Sequence, residues 1–461
     1  MNKKHTMDMI NGPIAKKIII FSIPIILSGL LQLLYNAADI VVVGRFSGKE
    51  SLAAVGSTSS LAHLFLNLFI GLSSGSCVTL ARYIGMKDKV SSSNTVHTAI
   101  TLSLISGVVV GIAGFFLSNK MLRLMNSPTD VIDKATLYLK IYFCGMPAVL
   151  SYNFGSSLLR AVGDTKRPMI ILMFSGVVNV VLNLVFVIFF KMDVAGVALA
   201  TIISQVISAV FVVICIITEK EYCHLDIRKL RIHKKEFMSI IKVGLPAGIQ
   251  SCIFSLSNIQ IQSAVNSFGS SVVAGNSAAS NIEGFVYTAM NSIYQAALTF
   301  TSQNFGAGKI KRIKKVLTNC LGIVTIVGII FSSVVVLFSS QLLGLYSSEA
   351  EIIELGQIRL KYVCSTYFLC GIMEIFTGVL RGLNYSLVPM LVSVLGVCGI
   401  RMMWVTFLFP LFNTLDSLYI SYPISWFITS SVHCICLLII LKKITKNMNT
   451  NKALAAEYND R

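Results

Sequence analysis

Long apolar stretches alternate along the chain with short polar ones, and twelve of the stretches are long enough to cross a bilayer. A crossing helix needs about twenty residues to span about 30 Å of hydrocarbon. The stretches fall near 14–43, 52–80, 92–118, 131–158, 168–190, 194–218, 237–264, 272–303, 313–339, 351–378, 389–411 and 417–441. Their length selects helices over barrel strands, which need only about ten residues and alternate in polarity. The predicted fold is an all-α integral membrane protein with twelve transmembrane helices. The first stretch, Ile14 to Val43, is too long for the apolar core of a signal peptide and has no small-residue cleavage site, so it reads as a retained span.

The second half echoes the first. Pro24 in the first stretch matches Pro246 in the seventh, 222 positions on. An offset of 221 then aligns Gly85 with Gly306, Ser127 with Ser348, Leu139-Lys140 with Leu360-Lys361, Leu159-Arg160 with Leu380-Arg381, and Pro168-Met169 with Pro389-Met390. Six spans per half is an even number, so both copies insert with the same orientation. This predicts two six-helix bundles related by a pseudo-two-fold axis along the membrane normal, as in parallel-repeat transporters. The expected boundaries are an N-terminal lobe over 1–218, a linker over 219–236, a C-terminal lobe over 237–445 and a tail over 446–461.

Composition sharpens this picture. Of 461 residues, 55% are hydrophobic and 13% charged, with a mean hydropathy of +0.77. A soluble domain carries about 25% charged residues, so the surface is expected to face lipid. The net charge of +18 is distributed by topology. With Lys16, Lys17, Lys314 and Lys315 counted in their flanking loops and the N-terminus placed inside, cytoplasmic segments hold 27 of the 38 basic residues, external loops 5 and spans 6. That asymmetry puts both termini in the cytoplasm and the protein in the plasma (inner) membrane. Anionic lipid is the expected partner of the basic segments, and nucleic acid is not. Eleven cysteines are scattered singly, and Cys434 with Cys436 lacks the spacing of a zinc or redox motif.

Buried ionisable residues are the candidate chemistry, because each costs at least about 2.5 kcal/mol at the bilayer centre. Asp39 sits deep in the first span, one helical turn after Tyr35. Asn179 and Asn183 in the fifth span, and Thr201 and Gln205 in the sixth, are each four residues apart. A carboxylate among amide and hydroxyl oxygens suits a small hard cation such as Na+, and the same acid raised in pKa by burial suits H+. The other reading keeps Asp39 and the asparagines as interhelical hydrogen-bond donors and acceptors. Glu283, Glu374 and Arg401 are the buried charges of the second half, with Asn36 and Gln205 as further candidates for substrate contact. Arg401 is expected to pair with Glu283 or Glu374. The repeat partner of Asp39 is Ile261, so the first-half acid is not duplicated. Pro24 and Pro246 are candidate hinges. His63, His97 and His433 read as packing residues, and Gly71-xxx-Gly75 and Gly107-xxx-Gly111 as close-packing sites. The nearest approach to a Walker A loop, Gly44 to Lys49, is one residue short, so ATP is not the expected energy source.

These residues resemble the multidrug and toxic compound extrusion family. The likeness rests on Leu34-Tyr35-Asn36-Ala37-Ala38-Asp39, Val43-Gly44 and Leu52-Ala53-Ala54-Val55-Gly56. It rests equally on Leu159-Arg160-Ala161-Val162-Gly163-Asp164-Thr165 with Pro168, and on the copy Leu380-Arg381-Gly382-Leu383-Asn384 with Pro389. The resemblance implies two six-helix lobes exporting amphipathic, often cationic, drugs in exchange for H+ or Na+, with no cofactor. It implies that Asp39 is the first-span acid, and that Asn179, Asn183 and Thr201 belong to a cation cluster in the amino lobe. Some members carry a second acid at the position of Asn183, so the coupling ion stays open. A monomer is expected. The competing readings are a flippase for a lipid-linked precursor and a membrane-embedded enzyme. The enzyme would need a clustered His, Asp or metal constellation that the chain does not offer.

Overall fold

The structure, a computed structural model, describes residues 6–125, 131–219 and 221–459, and their side chains except at 49, 57, 59, 60, 63 and 451–459. Ser127, Lys220 and the His63 side chain therefore lie outside the described set. Every regular element among the described residues is helical. In hydrocarbon each backbone N–H and C=O must find a partner within the chain, and a helix does this locally.

The first half runs α1 (Ile14–Phe46), α2 (Gly48–Met86), α3 (Lys89–Leu124), α4 (Ile132–Cys144), α5 (Met146–Ala161), α6 (Lys166–Leu184) and α7 (Asp193–Thr218). The second runs α8 (Lys234–Asn266), α9 (Ser270–Gly306), α10 (Ile310–Leu337), the short α11 (Ser339–Gly344), α12 (Ala350–Ser365), α13 (Tyr367–Gly382), α14 (Leu387–Ser393), α15 (Ile400–Met403), α16 (Phe409–Phe412) and α17 (Leu415–Asn459). Taking α4 with α5, α12 with α13, and α14 to α16 as single rods gives the twelve-helix fold. Among the described residues nine helices meet a span's length and polarity, and α12 with α13, bent by 44°, makes a tenth. The α4–α5 rod and α9 fall outside that test. The serines, threonines, amides and Glu283 of α9 lower its hydropathy, and it is buried along much of its length.

The halves share their irregularities. Each places a proline inside its first long helix, Pro24 in α1 and Pro246 in α8. The α1 helix continues through Pro24, and the Ser28 hydroxyl donates to the Pro24 carbonyl at 2.8 Å. The fourth rod breaks in both halves, at Gly145 before Pro147 and at Thr366. The fifth rod loosens into π-helix in both, at 185–189 and at 394–399 and 404–408.

Two compact units divide the chain between Cys252 and Ile253, inside α8. The N-terminal part of α8 thus packs with the first unit, and glycines allow it. A Cβ on Gly71 would meet the Gly248 amide nitrogen at 2.2 Å, and one on Gly75 the Ile240 carbonyl at 2.3 Å. Gly107 and Gly111 bring α3 equally close to the α4–α5 break, where a Cβ would meet Pro147 Cα at 2.5 Å and the Phe143 carbonyl at 2.9 Å. Both glycine pairs read from the sequence are close-packing sites in the structure.

The basic segment before α8 is fastened to the same unit. The His97 ring accepts from the Asp226 amide at 3.1 Å through Nε2, while its Nδ1 meets the Ser93 carbonyl at 2.7 Å. Thr98 Oγ1 accepts from the His233 amide at 3.0 Å. His97 is thus a docking residue for the segment between the halves. At the start of α3, Asp88 caps the helix by accepting from the Ser91 amide at 3.0 Å. Hydrogen bonds from Ser91 hold its carboxyl below the usual carboxylate range.

The tight α2–α8 crossing predicts that Gly71→Val lowers the melting temperature of the detergent-solubilised protein. Overpacking of this kind costs about 1–3 kcal/mol. Gly322→Ala on α10, where a Cβ meets nothing within 4 Å, should leave the melting temperature at or above that of wild type.

Candidate functional site

In the first unit α1 packs along α6. Its polar residues face the α6 asparagines because positions 35 and 39 share one face of the helix. Tyr35 is seated by Gly176, where a Cβ would lie 1.8 Å from the ring, and its hydroxyl donates to the Met173 carbonyl at 3.1 Å. One turn further, the Asn183 side-chain amide donates to Asp39 Oδ1. The same Asn183 Nδ2 lies 3.4 Å from Asn179 Oδ1. Asn183 and Asn179 are 1% and 5% exposed. Asn183 Oδ1 is buried and accepts no hydrogen bond. Tyr138 on α4 lies near enough to feel the Asp39 charge.

The structure therefore joins three of the sequence candidates, Asp39, Asn183 and Asn179, through hydrogen bonds. Tyr35 stands beside them with its hydroxyl turned to the α6 backbone, where it anchors α1. Thr201 donates to the Val197 carbonyl within α7 at 2.9 Å. Among the described residues it makes no bond to the acid, because a hydroxyl inside a helix is readily taken up by the carbonyl one turn back. Gln205 is half-buried on α7, and Asn36 is exposed on α1. Among the described residues no arginine, lysine or histidine forms an ion pair with Asp39. Its oxygens, with Asn179 Oδ1 and the free Asn183 Oδ1, make a set of hard donors that suits a proton or a small cation.

The second unit holds a different polar cluster. Arg359 of α12 grips Glu283 of α9 with two parallel bonds of 2.8 Å, Nε to Oε1 and NH2 to Oε2. Its remaining NH1 donates to Asn276 Oδ1 at 2.6 Å. That oxygen also accepts from the Tyr419 hydroxyl at 3.1 Å, and the Asn276 amide donates to Gln262 Oε1 at 3.0 Å. This corrects the expectation that Glu283 is a partner for Arg401. Arg401 lies 4.0 Å from the Tyr422 ring centroid and 5.4 Å from that of Trp426, with Nε donating to Ser425 Oγ at 3.0 Å. Residues 422, 425 and 426 share one face of α17, so one helix supplies both aromatic faces and the hydroxyl. A weakly hydrated, planar guanidinium stacks well on such a surface. Arg401 NH2 stays buried without a partner. Glu374 forms no ion pair among the described residues and lies on α13, where the charge of Arg381 acts on it. Arg381 itself donates to the Tyr294 hydroxyl at 2.5 Å.

Arg359 is the residue that sequence reasoning missed. Its signal was available, because it lies inside the tenth apolar stretch at the repeat position of Tyr138. Pro24 and Pro246 sit inside helices as expected, and Pro24 is buried.

A family model described as MatE matches the chain twice, over residues 24–185 and 246–406, more than half of its length. Both matches begin at the paired prolines. The chain belongs to the MatE family. Among its relatives, the probable multidrug resistance protein YoeA of Bacillus subtilis is 29% identical over 88% of this chain and 89% of its own length. The multidrug export protein MepA of Staphylococcus saprophyticus is 25% identical over 78% of this chain and 80% of its own. Among solved structures, a multidrug resistance transporter of the MATE family and MOP superfamily, in its outward-facing conformation, superposes with a TM-score of 0.88. It is 22% identical and covers 97% of this chain and 100% of its own. That likeness establishes the shared twelve-helix fold.

Family membership also gives context to the motif around Asp164. Gly163 adopts φ +89° where the chain turns against Met7, a backbone position that favours glycine. Asp164 accepts from the Arg167 amide at 3.1 Å and pairs with the Arg167 guanidinium, which also reaches Glu219 Oε2 at 2.7 Å. In this chain residues 163–167 hold the start of α6, and so the asparagines further along it.

The fork between Arg359 and Glu283 predicts an asymmetric mutational response. Glu283→Gln should destabilise the protein by about 3–5 kcal/mol, because it leaves a buried guanidinium without a counter-charge. Adding Arg359→Gln should recover most of that loss, as read by thermal unfolding in detergent. A double variant no more stable than Glu283→Gln would mean that the pair does not act as a unit.

Proposed function

We propose that this chain is a secondary active exporter, a cation-coupled antiporter that moves amphipathic, often cationic, small molecules out of the cell by alternating access. Asp39 is its coupling acid, and Asn183 and Asn179 orient it. The observation that carries this reading is the contrast between two acids inside the helical units, Asp39, which is half-buried, and Glu283, which is buried. Glu283 is neutralised in place by Arg359. Among the described residues Asp39 is met by an amide dipole and by no counter-charge, so its negative charge is available to an exchangeable H+ or Na+. The relatives named for multidrug resistance and export support the substrate class.

The geometry also suggests how loading is felt. Asp39 and Tyr35 are the points at which α1 is tied to α6. Protonating Asp39, or drawing its oxygens to a cation, changes what the Asn183 amide can donate to. The seat of α1 on α6 then depends on the occupancy of the acid. Pro24, about three turns before Tyr35, supplies a helix position where bending costs no i→i−4 bond. The full reading has lobes over 1–218 and 237–445 joined by 219–236, both termini cytoplasmic, and a monomer in the plasma membrane. Tyr35 and Thr201 act beside the acid. Glu374 and Arg401, with Asn36 and Gln205, are the residues assigned to substrate or charge compensation.

Ethidium efflux from energised cells tests the proposal, with the proton and sodium gradients collapsed separately. Wild type should lose efflux when one gradient alone is collapsed, and Asp39→Asn should lose it under all conditions while still reaching the membrane. Asn183→Leu should weaken efflux by more than about tenfold, since it removes the donor to a half-buried carboxylate. Tyr35→Phe should stay within about threefold of wild type. Efflux by Asp39→Asn at the wild-type rate would sink the coupling assignment, and a wild type that moves no ethidium under any gradient would sink the exporter reading.

A further inference from the structure

The second unit opens a cleft of about 690 Å³ between the N-terminal end of α10 and the C-terminal stretch of α17. Three lysines line it, Lys314 from α10 and Lys442 with Lys446 from α17. Below them the lining turns apolar, with Leu317 of α10 and Leu438 and Leu441 of α17. The order follows from the helix repeat. Leu438, Lys442 and Lys446 recur every four residues along one face of α17, and Lys314 and Leu317 are three apart on α10. The cleft therefore grades from a cationic mouth to an aliphatic floor in the direction that leads into the hydrocarbon.

Among the described residues nothing neutralises the mouth. No Asp or Glu occurs from Ala307 to Ser348 or from Ser417 to Thr450. Among the described residues none of the three lysines has a carboxylate partner. Three like charges around one opening raise the local positive potential and favour an anion there. A free phosphate would answer the lysines but leave the leucines bare. An acidic phospholipid answers both, with its phosphodiester at the ammonium groups and the start of an acyl chain on Leu317 and Leu438. Basic pockets between membrane helices on the cytoplasmic side recognise acidic headgroups in this way. Beside the cleft, the turn between α9 and α10 comes close to α17, with Gly308 at φ +67° and a Cβ placed there 3.6 Å from Met448.

We propose that this cleft is a binding site for one acidic phospholipid of the cytoplasmic leaflet, held by Lys314, Lys442 and Lys446. It is separate from the Asp39 cluster and does not depend on transport. The cytoplasmic placement follows the basic-residue asymmetry of the chain.

The test uses the full chain, purified and delipidated in a non-ionic detergent, with lipid binding followed by native mass spectrometry. Phosphatidylglycerol, phosphatidylcholine and water-soluble glycerol 3-phosphate are titrated in parallel. Wild type should retain one phosphatidylglycerol in preference to phosphatidylcholine, and should hold no glycerol 3-phosphate. The variant Lys314→Gln/Lys442→Gln/Lys446→Gln should bind phosphatidylglycerol on the order of a hundredfold more weakly. Lys311→Gln/Lys315→Gln/Lys443→Gln removes the same charge from the same two helix ends outside the cleft, and should bind as wild type does. Unchanged thermal unfolding of both variants in phosphatidylcholine shows that they are folded. Equal losses in the two variants would mean general charge attraction and overturn the site. Binding of glycerol 3-phosphate as tight as that of the lipid, or no preference for phosphatidylglycerol in wild type, would overturn it as well.

Discussion

A charge drawn from water into a helical bundle needs an opposite charge or oriented dipoles, and the way Glu283 and the half-buried Asp39 meet that need organises this protein. Glu283 meets it in full through the guanidinium fork of Arg359, with Asn276 and Tyr419 taking up the remaining donors and acceptors. A network satisfied to this degree holds α9, α12 and α17 in register and has little reason to open. Asp39 meets it only in part, through one amide from α6. An acid left in that state is a poor structural element and a good place for an exchangeable cation. The same low dielectric therefore produces a lock in one unit and a candidate coupling site in the other.

Helix packing sets the frame for both clusters. Between helices in lipid there is no water to squeeze out, so close approach depends on van der Waals contact and on small residues that permit it. Gly71, Gly75 and Gly248 let α2 and α8 meet backbone to backbone, and Gly107 and Gly111 do so for α3 and the break before α5. Gly176 does the same on a smaller scale by admitting the Tyr35 ring, which fixes where Asp39 lies along α6. Outward from these contacts the helices carry exposed aliphatic and aromatic side chains, such as Phe116 at 76% and Leu395 at 70% exposure, the surface expected against acyl chains.

The duplicated halves repeat their backbone more faithfully than their chemistry. Prolines, broken fourth rods and π-helical fifth rods recur, while Asp39 faces Ile261 in the repeat and Tyr138 faces Arg359. Backbone irregularities are costly to move once helices are packed around them. A buried polar side chain can change if its partner changes with it, and Arg359 with Glu283 is such a pair. Arg401 shows a different solution, in which aromatic faces and a serine hydroxyl from one helix replace a carboxylate.

Several features were fixed by the sequence on its own, because they depend on local periodicity and length. The helices, their approximate ends, the repeat offset, the glycine pairs and the candidacy of Asp39 with Asn179 and Asn183 are all of this kind. The partnerships of charges were not, since they depend on which helix faces emerge opposite each other after packing. Glu283 and Glu374 were equal candidates to pair with Arg401 because all three lie inside apolar stretches and the acids are of opposite sign. Tertiary structure instead placed Glu283 against Arg359, 76 residues away in the chain, and turned Arg401 onto the rings of α17. Thr201 is a similar case, with a hydroxyl at a plausible spacing that the fold gives to its own helix backbone. The spacing of residues along a helix is a local property, whereas the partner across the interface is chosen by how the helices rotate and cross.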